Sequence, residues 1–367
     1  MTRKRDFQGL EGLRGIFIFF IVIMHIQGIF EYSFDSVLRP VYAYGGYLGN
    51  YCFFLISGFL MAYWYSDRIR DEGAERVTFR QYLKKRLIRI YPLYFVTNVF
   101  AILLDVIHYG AAAIDLNRII LSFCMMSTGW IDDTRVPYNG PGWFVNVLMI
   151  CYLLFYGICR LGKKHRTAFL LLAAACVLLG HAFMTRDLRV PFCFRTSGEG
   201  YFNFFLGVLL AEWYKKAGSV AALRKAVGWI SLVLAVLLLV LTRLCGGIAN
   251  ATSDIPTTIA VFCLLVILAV ICARPVGLVV GNPVFSFLGG ISMSVFLWHL
   301  PLTDLLRMTG DFTGFNRAPM SVQFFLYLAV VIAVAFLSHR FLEPVLNRLF
   351  RTFVLKEKFV LKEKQDS

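Results

Sequence analysis

The chain has 367 residues, of which 59% are hydrophobic and only 16% charged, with a formal net charge of +15 and a mean hydropathy of +0.69. That balance excludes a water-soluble globular protein, because too few polar residues remain to cover a fold of this size. Runs of about 20 mostly apolar residues, the length a helix needs to cross roughly 30 Å of hydrocarbon, recur along the whole sequence.

Taken in chain order, the apolar runs predict ten membrane spans, at 10–30, 43–65, 87–107, 141–160, 167–184, 200–214, 226–245, 255–273, 283–306 and 321–346. The expected fold class is therefore all-α: a polytopic membrane protein of about ten transmembrane helices. One transmembrane domain fills residues 1–350, followed by a charged cytoplasmic tail over 351–367, with no soluble catalytic module expected at either end. The first run lacks a small-residue cleavage site and is expected to be retained as a span. Residues 111–129 are moderately apolar but contain Asp115 and Arg118, and an eleventh span there would invert the loops that follow. This segment is expected to be an interfacial or re-entrant helix.

Basic residues gather at Arg3 to Arg5, Arg68 to Arg89, Arg160 to Arg166, Lys215 to Lys225 and from Arg348 onward. These clusters lie in alternate connections, which places them and both termini in the cytoplasm by the positive-inside rule. The other loops carry Asp132, Asp133, Asp187, Asp254 and Asp311. The positive charge thus reads as topology, and no nucleic-acid partner is expected. The sequon Asn250-Ala251-Thr252 is too short a match to carry weight. Nine cysteines show no C-x-x-C pair and no metal-ligand spacing, so no metal is expected.

Ionisable residues at membrane depth are the informative ones, since they are costly to insert and are usually kept for a reaction or a pathway. In the first span Glu11, Arg14 and His25 stand out. Arg14 and His25 are eleven positions apart, three helical turns, so both project from one face about 16 Å apart along the axis. Arg14 sits near the surface, where it can hold an anion, and His25 lies within the bilayer, where a neutral imidazole can take a proton from a hydroxyl. The bland alternatives are a topology anchor and an interhelical hydrogen bond. At the start of the third span, Arg86 and Arg89 share a helical face and suit phosphates, or else only signal topology. Ser57 with Gly58 reads first as a close helix contact, Trp143 as an interfacial anchor or a site residue, and His299 as a second polar site residue or a packing histidine. Glu343 is expected to end a helix with Pro344 and to pair with Arg340 or another base.

Arg14 and His25, RLIR at 86–89 followed by IYPLYF, FFLISGF at 53–59, SMSVFLWHLPL at 292–302 and HRFLEP at 339–344 together resemble the acyltransferase 3 family of integral membrane O-acyltransferases. The resemblance covers essentially the whole chain in order. It implies a ten-helix domain that moves an acyl group, acetyl above all, from cytoplasmic acyl-CoA to a hydroxyl of a cell-surface or exported glycan. It implies His25 as the catalytic residue, Arg14 beside it, and Arg86 and Arg89 as donor-binding. No tightly bound cofactor is implied: acyl-CoA is the donor substrate, a carbohydrate the acceptor, the lipid bilayer the setting, and a bacterial plasma membrane the expected location. Many members carry a glutamate five residues after the tryptophan that opens the fourth span, but Leu148 stands there in this chain. Any role of that glutamate cannot be carried over. The competing classes are a proton-coupled transporter or flippase, in which His25 and Arg14 would be relay and anchor, and a purely structural subunit.

Overall fold

The computed structural model describes residues 7–26, 35–131, 136–186, 188–217 and 220–355, with side chains of the second segment described from residue 38. The basic cluster Arg3 to Arg5, the loop acids Asp132, Asp133 and Asp187, and the tail from Lys356 lie outside the described residues. Within them are fifteen α-helices and no strand: α1 Gln8–Ile26, α2 Asp35–Arg70, α3 Phe79–Tyr109, α4 Leu116–Phe123, α5 Gly142–Leu161, α6 Arg166–Met184, α7 Arg195–Lys216, α8 Ala221–Leu244, α9 Ile248–Ala251, α10 Ile255–Cys272, α11 Arg274–Val280, α12 Pro283–Gly290, α13 Ser292–Thr313, α14 Met320–Leu337 and α15 Glu343–Leu349. The chain is an all-α polytopic membrane protein.

Among the described residues the ten predicted spans fall on helices, the ninth on two, but not all are equally apolar; residues 27–30 of the first lie outside the described residues. Eight helical segments among the described residues are long and apolar enough to cross a membrane alone, and α12 with α13 makes a ninth, bent by 64° at the break. The predicted sixth span is α7, which has the length but carries Arg195, Glu199, Glu212, Lys215 and Lys216. Most of its surface is buried against other helices, so protein surrounds it and the charges are tolerated. Two connections also differ from expectation. The stretch predicted as a loop at 274–282 holds α11, and the last helix does not stop at Glu343-Pro344 but continues to Val354 through wide turns at Ser338–Leu342 and Phe350–Val354. Pro344 falls in the first turn of α15, where its missing N–H is not needed.

Residues 111–129 form no span. The longest helix there, α4, has eight residues and reaches only about 12 Å. Asp115, one of the residues that made a span implausible, caps α4 by accepting from the Arg118 N–H at 3.1 Å. Arg118 in turn donates to the carbonyls of Val136 and Pro137 and stacks 4.1 Å over Tyr138. The end of α4 and the chain after it turn inward, with Ser122 in the helix and Ser127 and Thr128 beyond it buried, and Tyr94 donating to the Ser122 carbonyl.

The bundle core is built on close helix contacts. A Cβ at Gly58 would lie 1.8 Å from the Phe204 carbonyl, so α2 and α7 approach backbone to backbone, as the Ser57-Gly58 pair led one to expect. Gly289 of α12 meets the Glu11 carbonyl of α1 in the same way, so α1 and α12 also approach backbone to backbone. Phe54, Phe59, Phe155, Phe204 and Phe205 fill the space between α2, α5 and α7.

Candidate active site

The start of α3 is fixed by a capping box. Thr78 accepts from the Gln81 N–H at 3.3 Å, and the Thr78 N–H donates to Gln81 Oε1 at 3.0 Å. That start sets the register of the two arginines that follow. Arg86 is buried and held in a cage of tyrosines: Nη2 donates to the Tyr65 hydroxyl at 2.9 Å, Nη1 reaches Met61 Sδ at 3.5 Å, and the guanidinium lies 5.0, 5.9 and 6.0 Å from the rings of Tyr65, Tyr82 and Tyr152. Its Nε has no partner among the described residues. Arg89, one turn on, is exposed.

Arg14, Arg86 and Arg89 line one pocket, open at its mouth, together with Ser57. Among the described residues no carboxylate lies within ion-pair distance of any of the three arginines. Arg14 and Arg89 are near enough for their charges to repel. Glu11, one turn before Arg14, is near enough to attract it, but no acid lines the pocket, and three cations gathered there without an ion-paired acid form a site for a polyanion. Leu148 also faces this pocket. Glu11 is exposed and does not line the pocket. Trp143 is outside it too, its ring 6.5 Å from Phe54.

His25 does not line the pocket either; it meets His299 near the far end of α1. His25 Nδ1 is 2.8 Å from the Ile21 carbonyl and 3.3 Å from His299 Nε2, and His299 Nδ1 is 2.8 Å from the Phe296 carbonyl. A carbonyl only accepts, so both rings carry their proton on Nδ1. The His25 N–H then forks between Ile21 and His299 Nε2, and the lone pair of His25 falls on Nε2. His299 itself is fully buried. Its helix is braced at this level. Pro301 has no N–H for the Leu297 carbonyl, and Asn139 Nδ2 donates to that carbonyl instead at 2.8 Å. Thr303 and Tyr327 donate to the His299 carbonyl at 2.8 and 3.2 Å. Next to His299, Trp298 donates to Ser338 at 3.0 Å; further toward the start of α13, Ser294 donates to Glu343, whose other oxygen is 3.2 Å from His339 Nδ1, the base that pairs with it.

The structure thus gathers Arg14, Ser57, Arg86 and Arg89 at one level and His25 with His299 at another. Sequence reasoning missed the tyrosine cage. Tyr82 stands four residues before Arg86 and could have been read as its helical neighbour. Tyr65 and Tyr152 come from other helices and leave no such signal.

Compared with known protein families, residues 7–340 match the acyltransferase domain of the acyltransferase 3 family. The chain belongs to this family, and it is a membrane acyltransferase. It is also similar to "Putative acetyltransferase ORF330" of Acidianus two-tailed virus, 24% identical over 292 residues, which cover 76% of this chain and 78% of the viral protein. No solved structure matches the chain. Family membership decides between group transfer and transport in favour of transfer.

Proposed function

We propose that the protein transfers a short acyl group, acetyl in the first instance, from acyl-CoA to a hydroxyl of a cell-surface or exported glycan. The observation that carries this reading is the carboxylate-free pocket of Arg14, Arg86 and Arg89, lying on the α1 face that leads to the paired histidines. The phosphates of CoA suit three converging guanidiniums, two of which hold a fixed spacing on α3. The mouth of that pocket is at the end of the bundle rich in Lys and Arg, which the positive-inside rule assigns to the cytoplasm of the cell membrane, together with both chain termini.

In this reading the acceptor hydroxyl approaches His25 from the opposite end of the bundle. His25 Nε2 takes the hydroxyl proton as the oxygen attacks the thioester carbonyl carbon. The tetrahedral intermediate collapses with cleavage of the C–S bond, the new ester leaves, and the imidazolium returns its proton to the CoA thiolate. His299 holds the His25 tautomer that presents Nε2. Transfer through a transient acyl-histidine satisfies the same geometry. General-base help of this type is worth about 10²–10⁴-fold.

The test is acyl transfer from radiolabelled acetyl-CoA by the purified protein in liposomes, with a panel of oligosaccharide acceptors. Label should enter a glycan with wild type and fall about 10²–10⁴-fold with His25→Ala while the variant keeps its thermal unfolding midpoint. Wild-type turnover by His25→Ala would remove histidine from the chemistry.

A further inference from the structure

The pocket and the histidine pair are separated, and what separates them is three phenylalanines. On each of three helices the last residue that lines the pocket toward the His25 end is a phenylalanine: Phe53 on α2, Phe144 on α5 and Phe296 on α13. Every pair of the three rings is in contact, with centroids 6.2 Å apart for Phe53 and Phe144, 6.4 Å for Phe53 and Phe296, and 5.3 Å for Phe144 and Phe296. The triangle therefore walls the pocket on the side where α2, α5 and α13 lead toward His25. On its far side Phe296 lies 6.0 Å from the ring of His299, which touches His25. Phe144 is also held from behind by Phe54 at 4.2 Å, so the packing resists displacement of the rings. All three are buried.

We propose that Phe53, Phe144 and Phe296 form the specificity-determining sieve for the acyl group: a thioester reaches His25 only by displacing a ring, a short acyl group does so with one ring, and a long chain cannot. This rests on the reading of the arginine pocket as the donor site and adds which donor it accepts. Packing between three rings is sensitive to single methylenes, each of which can change selection by about 10–200-fold. Exclusion by bulk explains why the far wall of a pocket meant for a polar donor is aromatic, where polar groups would have held a fixed acyl end by hydrogen bonds.

The test is equilibrium displacement of radiolabelled CoA from the purified protein by acetyl-, butyryl- and octanoyl-CoA. Wild type should bind acetyl-CoA at least about tenfold more tightly than octanoyl-CoA. Phe53→Ala and Phe144→Ala should close that difference by about tenfold, each acyl-CoA affinity being taken relative to that of CoA for the same variant, and the gentler Phe53→Leu should close it in part. Equal affinity for the three donors in wild type, or a preference unchanged in all three variants, overturns the sieve. Failure of wild type to bind CoA at all overturns the donor-site reading beneath it, a result distinct from bound CoA without acyl preference.

Discussion

Two clusters of charge sit toward the same, basic-rich end of the bundle, and they are built on opposite principles. Where α2, α6 and α7 meet, Glu212 has a side chain only 2% exposed, yet Lys215 and Arg166 reach it at 2.9 Å each and Ser66 donates to it at 2.7 Å. Lys215 further donates to the Ala62 carbonyl and to Asp67. In the pocket of Arg14, Arg86 and Arg89 there are cations of one sign and, among the described residues, no acid within ion-pair distance. The first cluster is complete within the chain and holds helices together. The second is incomplete, and the missing charge is the feature that points to a ligand.

Breaking the complete cluster should therefore harm stability whether or not a ligand is present. Glu212→Gln should lower stability by about 3 kcal/mol, the low end for breaking a buried pair because Lys215 keeps Asp67. Thermal unfolding in detergent measures it, and an unchanged midpoint would mean that the network is not structural. A surface pair nearby gives the contrast at its weakest. Lys163 lies 2.9 Å from Glu72, and its hydrogen bond holds that carboxyl below the usual range. Both ends are open to water, so Glu72→Gln should leave the unfolding midpoint unmoved at physiological salt.

The difference between the two clusters was only partly legible in the sequence. Arg86 and Arg89 share a helix face by spacing alone, and Arg14 precedes His25 by whole turns, so the convergence on one side could be anticipated from helical geometry. Lys215 read only as a topology signal, because its partners Ser66 and Asp67 come from a helix some 150 positions earlier. The support of His299 was hidden for the same reason, since Asn139 meets Leu297 across 158 positions. Phe53 and Phe296 stood inside the stretches FFLISGF and SMSVFLWHLPL, but nothing local marks which of the 35 phenylalanines face a pocket or meet one another. Helix positions followed from apolar length, whereas α7 shows how tertiary burial lets a span carry charges that length and hydropathy alone would reject.

The measurement that tests the contrast most directly is the rise in thermal stability on adding CoA, in wild type, Arg86→Gln and Glu212→Gln. A ligand at a hundred times its dissociation constant stabilises the protein by about 2.7 kcal/mol. The account predicts that Glu212→Gln starts lower but keeps this gain, while Arg86→Gln starts within about 2 kcal/mol of wild type, its loss limited to the tyrosine cage contacts, and forfeits most of the gain. A full CoA-induced gain in Arg86→Gln would contradict the account, because the unpaired arginines would then not be the donor's anchor.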